Sequence, residues 1–507
     1  MKATLEHRLA QIDRASDRSL IDQIVDAVLG AITAGELTAG AKLPPTRRLA
    51  QLAGVNQLTA GRSYRRLGER GAVVSEVGRG TFVRAGAAAH SETRSPSETS
   101  WQTYVLEPER PSSAAWALAE LFSGHGRDGA RELIAFSAGY PPGELVPTEL
   151  LAAASVSAIA RSGSGSFSYG SVAGTEALRS ELAQLGRARG IEDDPSSINV
   201  TTGARQAITL ATRAILRPGD KVACESPTCM GIIDSLQAVG AELLPVPVGP
   251  SGFDVDALEE LLRRHEIRMV ALQPRLQNPT GRDLSPRGRE RLVELARQHG
   301  FFILEDAVYA DLRFSGTDPG PLRALAPGHV IYVDSLSKTV APGLRAGWIA
   351  ASGSVRERLI AEKRGDDTHG ALLPQQMVAS FLADGHYAPQ LERARSLYRE
   401  RRDVLMNAVD HELGDLVSYT RPAGGGHLWL TLDQPCDDSR LYRDALAAGV
   451  SFVPGSTMIV GRPQATQLRL SFGPVAPDAI RTGVRRLAGV IREDRGAFPA
   501  LDALPVN

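Results

Sequence analysis

The sequence predicts an α/β protein in two parts. A small N-terminal unit of short helices closes on a β-hairpin, and a large unit behind it is built on a mostly parallel sheet with helices on both faces. Three observations predict this. Five short apolar runs in the second part alternate with helical patterns: Ile198-Asn199-Val200, Lys221 to Cys224, Met269 to Leu272, Phe301 to Leu304, and Val330 to Val333. Strands buried on both faces read in this way. In the first part, one apolar stripe of helical period is followed by two short helices and two short strands. Between the parts, small and polar residues dominate.

Composition narrows the class. The 507 residues suggest about three domains. They are 43% hydrophobic and 23% charged, ordinary for a globular protein that buries large cores. The formal net charge is −1, so any surface for nucleic acid must be local. The 3 cysteines, Cys224, Cys229 and Cys436, are sparse and odd in number. That argues against a disulfide scaffold and fits a reducing cytoplasm, the expected location. Met1 to Arg18 is polar and mixed in charge, so no signal peptide is expected. No apolar run approaches the ~20 residues of a membrane span, and no metal site is expected.

The first unit covers residues 1–85. Leu20, Ile21, Ile24, Val25, Val28, Leu29 and Ile32 form the stripe of a helix from about Ser19 to Ala34, which Gly35 stops. After Leu43-Pro44-Pro45-Thr46 comes a short helix carrying Leu49, Ala50 and Leu52. Gly54-Val55 turns the chain, and Asn56 caps a third helix from Gln57 to Arg70. This tight pairing is a helix-turn-helix pattern. Val73 to Val77 and Thr81 to Arg84 flank Gly78-Arg79-Gly80 as a hairpin, the wing of a winged helix. Basic residues outnumber acidic ones here. Arg47, Arg48, Arg62, Arg65, Arg66 and Arg79 lie on the second helix, the third helix and the wing tip. Those elements face DNA when such a module docks in a major groove. The arginines would neutralise phosphates, while Gln57 and Thr59, at the start of the third helix, would meet base edges.

These pieces resemble the GntR-type winged helix. The matching residues are Gly35-x-Leu37-x-x-Gly40-x-x-Leu43-Pro44, Arg48-Leu49-Ala50, Gly54-Val55, Thr59, Tyr64, Leu67, Gly71 and Gly78-x-Gly80-Thr81-Phe82-Val83. Gln57 stands where that family usually has arginine, and Gly61 sits inside the recognition helix at a cost of up to ~1 kcal/mol. Both bear on which double-stranded operator is read. Residues 86–125 read as a flexible tether, rich in Ser, Thr and Ala. Trp101, Tyr104 and Trp116 either anchor part of it onto the larger domain or belong to a weakly ordered stretch.

In the second unit, residues 126–507, ligands of such a sheet bind beyond the strand ends. Polar residues directly after the apolar runs are therefore the candidates. The segment Ser335-Leu336-Ser337-Lys338-Thr339-Val340-Ala341-Pro342-Gly343-Leu344-Arg345 follows one run. A lysine at the end of a buried strand loses its proton more readily than an exposed one, and a neutral amine attacks an aldehyde. The nearby hydroxyls and Arg345 suit a phosphate. Aldehyde plus phosphate describes pyridoxal 5′-phosphate (PLP). Thr201-Thr202-Gly203-Ala204-Arg205 opens a helix after another run and suits the same phosphate. Asp306, after a third, can hold a pyridine nitrogen protonated. Tyr309 and Asn278 are suitable partners for the ring's phenolic oxygen.

From Phe136-Ser137-Ala138-Gly139 to Leu470-Ser471-Phe472 the chain resembles fold-type I aminotransferases. The resemblance implies a large subdomain at about 165–370 and a small α+β subdomain at 371–507. It implies that Lys338 is the internal aldimine lysine and that Asp306 pairs with the ring nitrogen. Tyr309 and Asn278 would contact the ring oxygen. Gly203, Ala204, Arg205, Ser335, Ser337 and Arg345 would surround the phosphate. Tyr169, in Tyr169-Gly170-x-x-x-Gly174, is similar to the tyrosine that reaches the phosphate from the neighbouring subunit of a homodimer. Arg469 is similar to the arginine that grips an α-carboxylate. Cys229 stands where the family places a ring stacked on the cofactor.

The two resemblances together are those of MocR-type (GabR-like) regulators. They imply a PLP-dependent, DNA-binding transcriptional regulator that senses PLP or an amino compound through aldimine formation at Lys338. The alternative is a PLP-dependent aminotransferase with an appended DNA-binding domain.

Overall fold

The computed structural model describes residues 2–13, 18–34, 36–38, 40–69, 72–76, 80–83 and 133–497. They fall in two units, one within residues 1–109 and one within 110–507. The predicted tether at 86–125, Gly71 and the wing-tip residue Arg79 lie outside the described residues.

The described residues of the first unit form helices α1 (Lys2–Ala10), α2 (Leu20–Thr33), α3 (Thr46–Leu52) and α4 (Gln57–Glu69), and strands β1 (Val73–Glu76) and β2 (Gly80–Val83). The apolar stripe of α2 drives the fold, because Ile24, Val25, Val28 and Ile32 are all buried in its core. The sequence reading missed α1 inside its polar surroundings. Leu5 and Leu9, four residues apart, fall on one face and are buried in the same core. Asn56 caps α4 as expected, its Oδ1 accepting from Thr59 N at 2.8 Å. β1 and β2 pair antiparallel. Bonds from Leu43 N to Thr81 O and from Gly40 N to Val83 O, both 2.8 Å, fasten the hairpin to the helices.

The second unit starts at β3 (Ile134–Ala135) and carries an eight-stranded sheet. Its strands are β4 (Ile198–Thr201), β5 (Lys221–Ser226), β6 (Glu242–Gly249), β7 (Gly252–Phe253), β8 (Ile267–Leu272), β9 (Phe302–Asp306), β10 (Val330–Ser335) and β11 (Gly347–Ala350). The order across the sheet is β4-β11-β10-β9-β8-β5-β6-β7. β11 is antiparallel to both its neighbours and β7 to β6; the other pairings are parallel. Buried clusters line both faces, which is why β4 and β10 are buried along their whole length.

A second sheet of β12 (Val417–Tyr419), β13 (His427–Leu432), β15 (Val453–Pro454) and β16 (Gln467–Ser471) is wholly antiparallel, in the order β12-β13-β16-β15. Helices Tyr387–Glu412, Asp438–Ala447 and Pro477–Ala497 share its core. Short β14 (Val450–Ser451) pairs with β3, which sews residues 134–135 into this C-terminal part. Helix Leu372–Ala383, placed by the sequence reading in the small subdomain, buries Val378, Ala379 and Phe381 with Ile198, Val200 and Trp348 of the large sheet. Apolar periodicity shows that a helix has a buried face, not which sheet covers it.

Candidate functional site

The strand register assembles the site. Val333 lies opposite Asp306, Ser335 opposite Gly347, and Gly347 opposite Thr201. The C-terminal ends of β4, β9 and β10 therefore open at one edge of the sheet. A side chain at Gly347 would have its Cβ 2.6 Å from the Gly203 backbone, so only glycine lets β11 enter there.

One corner of this edge is positive. Helix Ala204–Ile215 begins at Gly203, whose φ of 127° few other residues adopt, and no side chain caps it. Its first-turn N–H groups stay open to an anion. Arg345 reaches the same corner: a Cβ on Gly203 would lie 3.3 Å from its guanidinium. Among the described residues no carboxylate pairs with Arg345. Ser335 Oγ donates to Ser337 Oγ at 2.7 Å and accepts from Ser337 N at 3.0 Å, which folds both hydroxyls into the turn before Lys338. The Arg205 side chain goes elsewhere. Its guanidinium pairs with Asp234 at 2.9 Å, so only its backbone belongs to this corner.

The centre holds Lys338, Asp306, Tyr309, Asn278 and Arg469. Lys338 Nζ donates to Gly139 O at 2.5 Å and stands 5.6 Å from the Tyr309 ring centre. Burial, with Arg469 adding repulsion, pulls its amine down to about 8. Asp306 accepts from Gln273 Nε2 at 2.8 Å and from Val308 N at 3.2 Å, and burial pushes its carboxyl up to about 6. Arg469 is buried, donating to Asn278 Oδ1 at 3.2 Å and to Ser137 O at 3.0 Å; its Nε has no partner among the described residues. Cys229 precedes helix Met230–Ala238 as its N-cap residue. Burial raises its thiol, which keeps its proton and offers the site a small apolar surface.

Several contributors escaped the sequence reading. Gln273 follows β8 directly, and the strand-end rule should have found it. His427, Ser471 and the carbonyls of Ser137 and Gly139 come from distant segments and carry no spacing signal. Tyr169 is not joined to the cluster: it stands 88% exposed, edge-on to His369 at 5.4 Å.

These residues fit PLP. An uncapped helix start beside an unpaired arginine needs a phosphate-like anion. A buried carboxylate whose hydrogen-bond donors are neutral suits a protonated ring nitrogen. A lysine amine of lowered basicity suits an aldehyde. Residues 131–487 match the family described as Aminotransferase class I and II. The chain belongs to that family. PLP is the cofactor of these aminotransferases. The 2-aminoadipate transaminase of Thermus thermophilus is 34% identical over 365 residues, 71% of this chain and 90% of that one. The solved α-aminoadipate aminotransferase of the same species, complexed with N-(5'-phosphopyridoxyl)-L-leucine, superposes with a TM-score of 0.70 at 33% identity, covering 75% of this chain and 96% of that one.

The front unit matches bacterial regulatory proteins of the gntR family over residues 20–83. Joined to the aminotransferase domain, it makes the architecture MocR-type. The probable rhizopine catabolism regulatory protein MocR of Rhizobium meliloti is 28% identical over 501 residues, 98% of each chain. Within the front unit Arg47, Arg48, Gln57, Arg62 and Arg65 are exposed, and Thr59 is half-buried on the first turn of α4. Arg48 makes a loose, exposed contact with Glu6 at 3.5 Å. Arg66 departs from the expectation: it is turned against α2 and paired with Asp22 at 2.8 Å. Leu58, which the sequence reading passed over, stands 63% exposed between Gln57 and Thr59. Among the described residues no helix is long and apolar enough to cross a membrane, and no cluster could hold a metal ion.

The lowered basicity of Lys338 has a kinetic consequence. The neutral amine fraction rises about tenfold between pH 7 and pH 9 if the group titrates near 8. Capture of PLP by the apoprotein, followed by stopped-flow absorbance, should accelerate by about that factor and level off above pH 9. An amine of ordinary basicity would keep accelerating past pH 10.

Proposed function

We propose that this chain is a PLP-dependent transcriptional regulator. Its front unit binds a duplex operator, and its aminotransferase-like domain senses PLP or a small amino compound. One observation carries the reading: a basic helix-turn-helix and a cluster of groups that fits PLP lie on one chain. The lengths of the matches add support. Relatives named as regulators match it nearly end to end, 98% for MocR and 95% for the HTH-type regulator YisV of Bacillus subtilis. The transaminase matches 71%.

In this reading Lys338 holds the cofactor's carbonyl carbon and Asp306 its ring nitrogen. Tyr309 and Asn278 face the ring oxygen. The backbone of Gly203, Ala204 and Arg205 binds the phosphate, with Ser335, Ser337 and Arg345. When bound, the cofactor supplies an aldehyde that links reversibly to primary amines and a ring that withdraws electrons. Arg469, already oriented by Asn278 and Ser137, offers its fork to an effector carboxylate. Tyr169 would meet the phosphate of the other subunit in a homodimer, which accounts for its exposure. The effector acts on DNA only by favouring one arrangement of the dimer over another. A coupling of 1–3 kcal/mol corresponds to about 5–150-fold in operator affinity.

The test is a spectral titration of the PLP-loaded protein with candidate amines, paired with gel shifts on the promoter beside its own gene. An amine that changes the absorbance should also change operator affinity. The second reading, a working aminotransferase, is favoured by the intact set of Lys338, Asp306, Tyr309, Asn278 and Arg469. Sustained turnover of amino donors with 2-oxo acids at enzyme-like rates, without specific DNA binding, would establish it instead.

Leu58 adds a prediction about the operator. An apolar side chain at the start of a helix docked in the major groove suits the methyl group of thymine. In a duplex selected by the full-length protein from a random pool, replacing the contacted thymine by uracil should weaken binding about fourfold, the worth of one buried methyl at ~0.8 kcal/mol. The variant Leu58→Asn should bind both duplexes equally.

A further inference from the structure

One buried chain of the site is left over by the contacts described so far: Ser471, His427 and Tyr309. His427 Nδ1 lies 3.0 Å from Ser471 Oγ, and His427 Nε2 lies 2.9 Å from Tyr309 Oη. All three side chains are buried. Burial and the cations Arg469 and Lys338 hold the imidazole well below its ordinary range, so it is neutral and carries one N–H.

The chain can therefore run in two directions. In one, Nδ1–H donates to Ser471, and Tyr309 gives its hydrogen to Nε2. The Ser471 hydroxyl hydrogen is then buried without an acceptor, since among the described residues the imidazole is its hydrogen-bond partner. Leaving a buried donor unmade is costly. In the other, Ser471 donates to Nδ1 and Nε2–H donates to Tyr309, which satisfies the serine hydroxyl and both imidazole nitrogens. The Tyr309 hydrogen then points away from His427, to the side where Gly139 O lies 3.5 Å off and already accepts from Lys338 Nζ.

We propose that His427 is a positioning residue whose Nε2–H, set by Ser471, donates to Tyr309 and turns the Tyr309 hydroxyl hydrogen toward the ring oxygen of bound PLP. This rests on the reading of the Lys338 cluster as the PLP site. Accepting one hydrogen bond makes the Tyr309 hydroxyl a stronger donor. In the opposite direction it would offer the ring oxygen a lone pair and repel it. The charged and titratable groups around the pair are Lys338, Arg469, Asp306, Cys229 and Tyr398, which all variants below retain.

The experiment is a pH titration of the visible absorbance of PLP-loaded, full-length protein. A hydroxyl that donates to the ring oxygen stabilises its anionic form when the Lys338-linked nitrogen has lost its proton. Removing that donation raises the midpoint. His427→Leu should raise it by about one pH unit, a tenfold change. His427→Gln, whose amide can still donate to Tyr309, should bring the midpoint most of the way back to wild type. Ser471→Ala should raise the midpoint and Ser471→Thr should leave it in place, so the serine pair decides the matter if His427→Leu does not fold. Equal shifts in the leucine and glutamine variants would reduce His427 to packing and overturn the proposal. So would a Ser471→Ala midpoint identical to wild type. A wild-type protein with no visible band on PLP addition would overturn the cofactor-site reading itself.

Discussion

Replacing Lys338 by alanine should abolish covalent retention of PLP. Wild-type protein incubated with PLP and reduced with borohydride should carry one pyridoxyl group per chain at position 338, read by peptide mass. The variant should carry none. Retention of PLP through gel filtration should fall on the order of a hundredfold or more, because only the hydrogen bonds and charges of the remaining site hold the cofactor. Lys338→Arg gives the same loss while keeping a positive charge, since a guanidinium does not lose its proton to become a nucleophile. That pair separates the amine's chemistry from its charge near Asp306. A pyridoxyl group fixed at another lysine would sink the assignment. Operator affinity should respond to PLP in the wild type and not in either variant.

The second large effect concerns Arg469. Its guanidinium is buried and oriented by Asn278 Oδ1 and Ser137 O, with Nε unpartnered among the described residues. Arg469→Ala should weaken an amino-acid effector by about 3 kcal/mol, roughly a hundredfold, the worth of a charge-assisted pair out of water. Arg469→Lys should recover little, because a point charge does not reproduce the fork. The absorbance titration reads this directly. The same variant distinguishes the two candidate signals. If an amino acid is the effector, its influence on operator binding is lost in Arg469→Ala while an amine without a carboxylate titrates as in wild type. If PLP alone is the signal, the operator response to PLP persists in the variant.

Much of the site was readable from single segments. Lys338, Asp306, Asn278 and Gly203 each follow an apolar run, and a strand end is where an α/β sheet presents its ligand groups. The helix-turn-helix was readable for a similar reason: the stripe of α2, the turn at Gly54 and the cap at Asn56 are local features. The departures came from side chains whose direction depends on a neighbour. Arg205 and Arg66 have the right type at the right position, yet Asp234 and Asp22 claim them. Leu5 and Leu9 were hidden because two apolar residues among charges carry a weak period.

The sequence by itself determined the two-part architecture, the strand ends and most of the side chains gathered at the candidate site, because periodicity and motif spacing are properties of short stretches of chain. Tertiary structure alone decided that β3 joins the C-terminal part, that helix Leu372–Ala383 covers the large sheet, and that His427 stands between Tyr309 and Ser471, 118 and 44 positions away. Those contacts depend on which surfaces pack together. The proposed hydrogen-bond direction from Ser471 through His427 to Tyr309 follows from satisfying the serine hydroxyl and both imidazole nitrogens together.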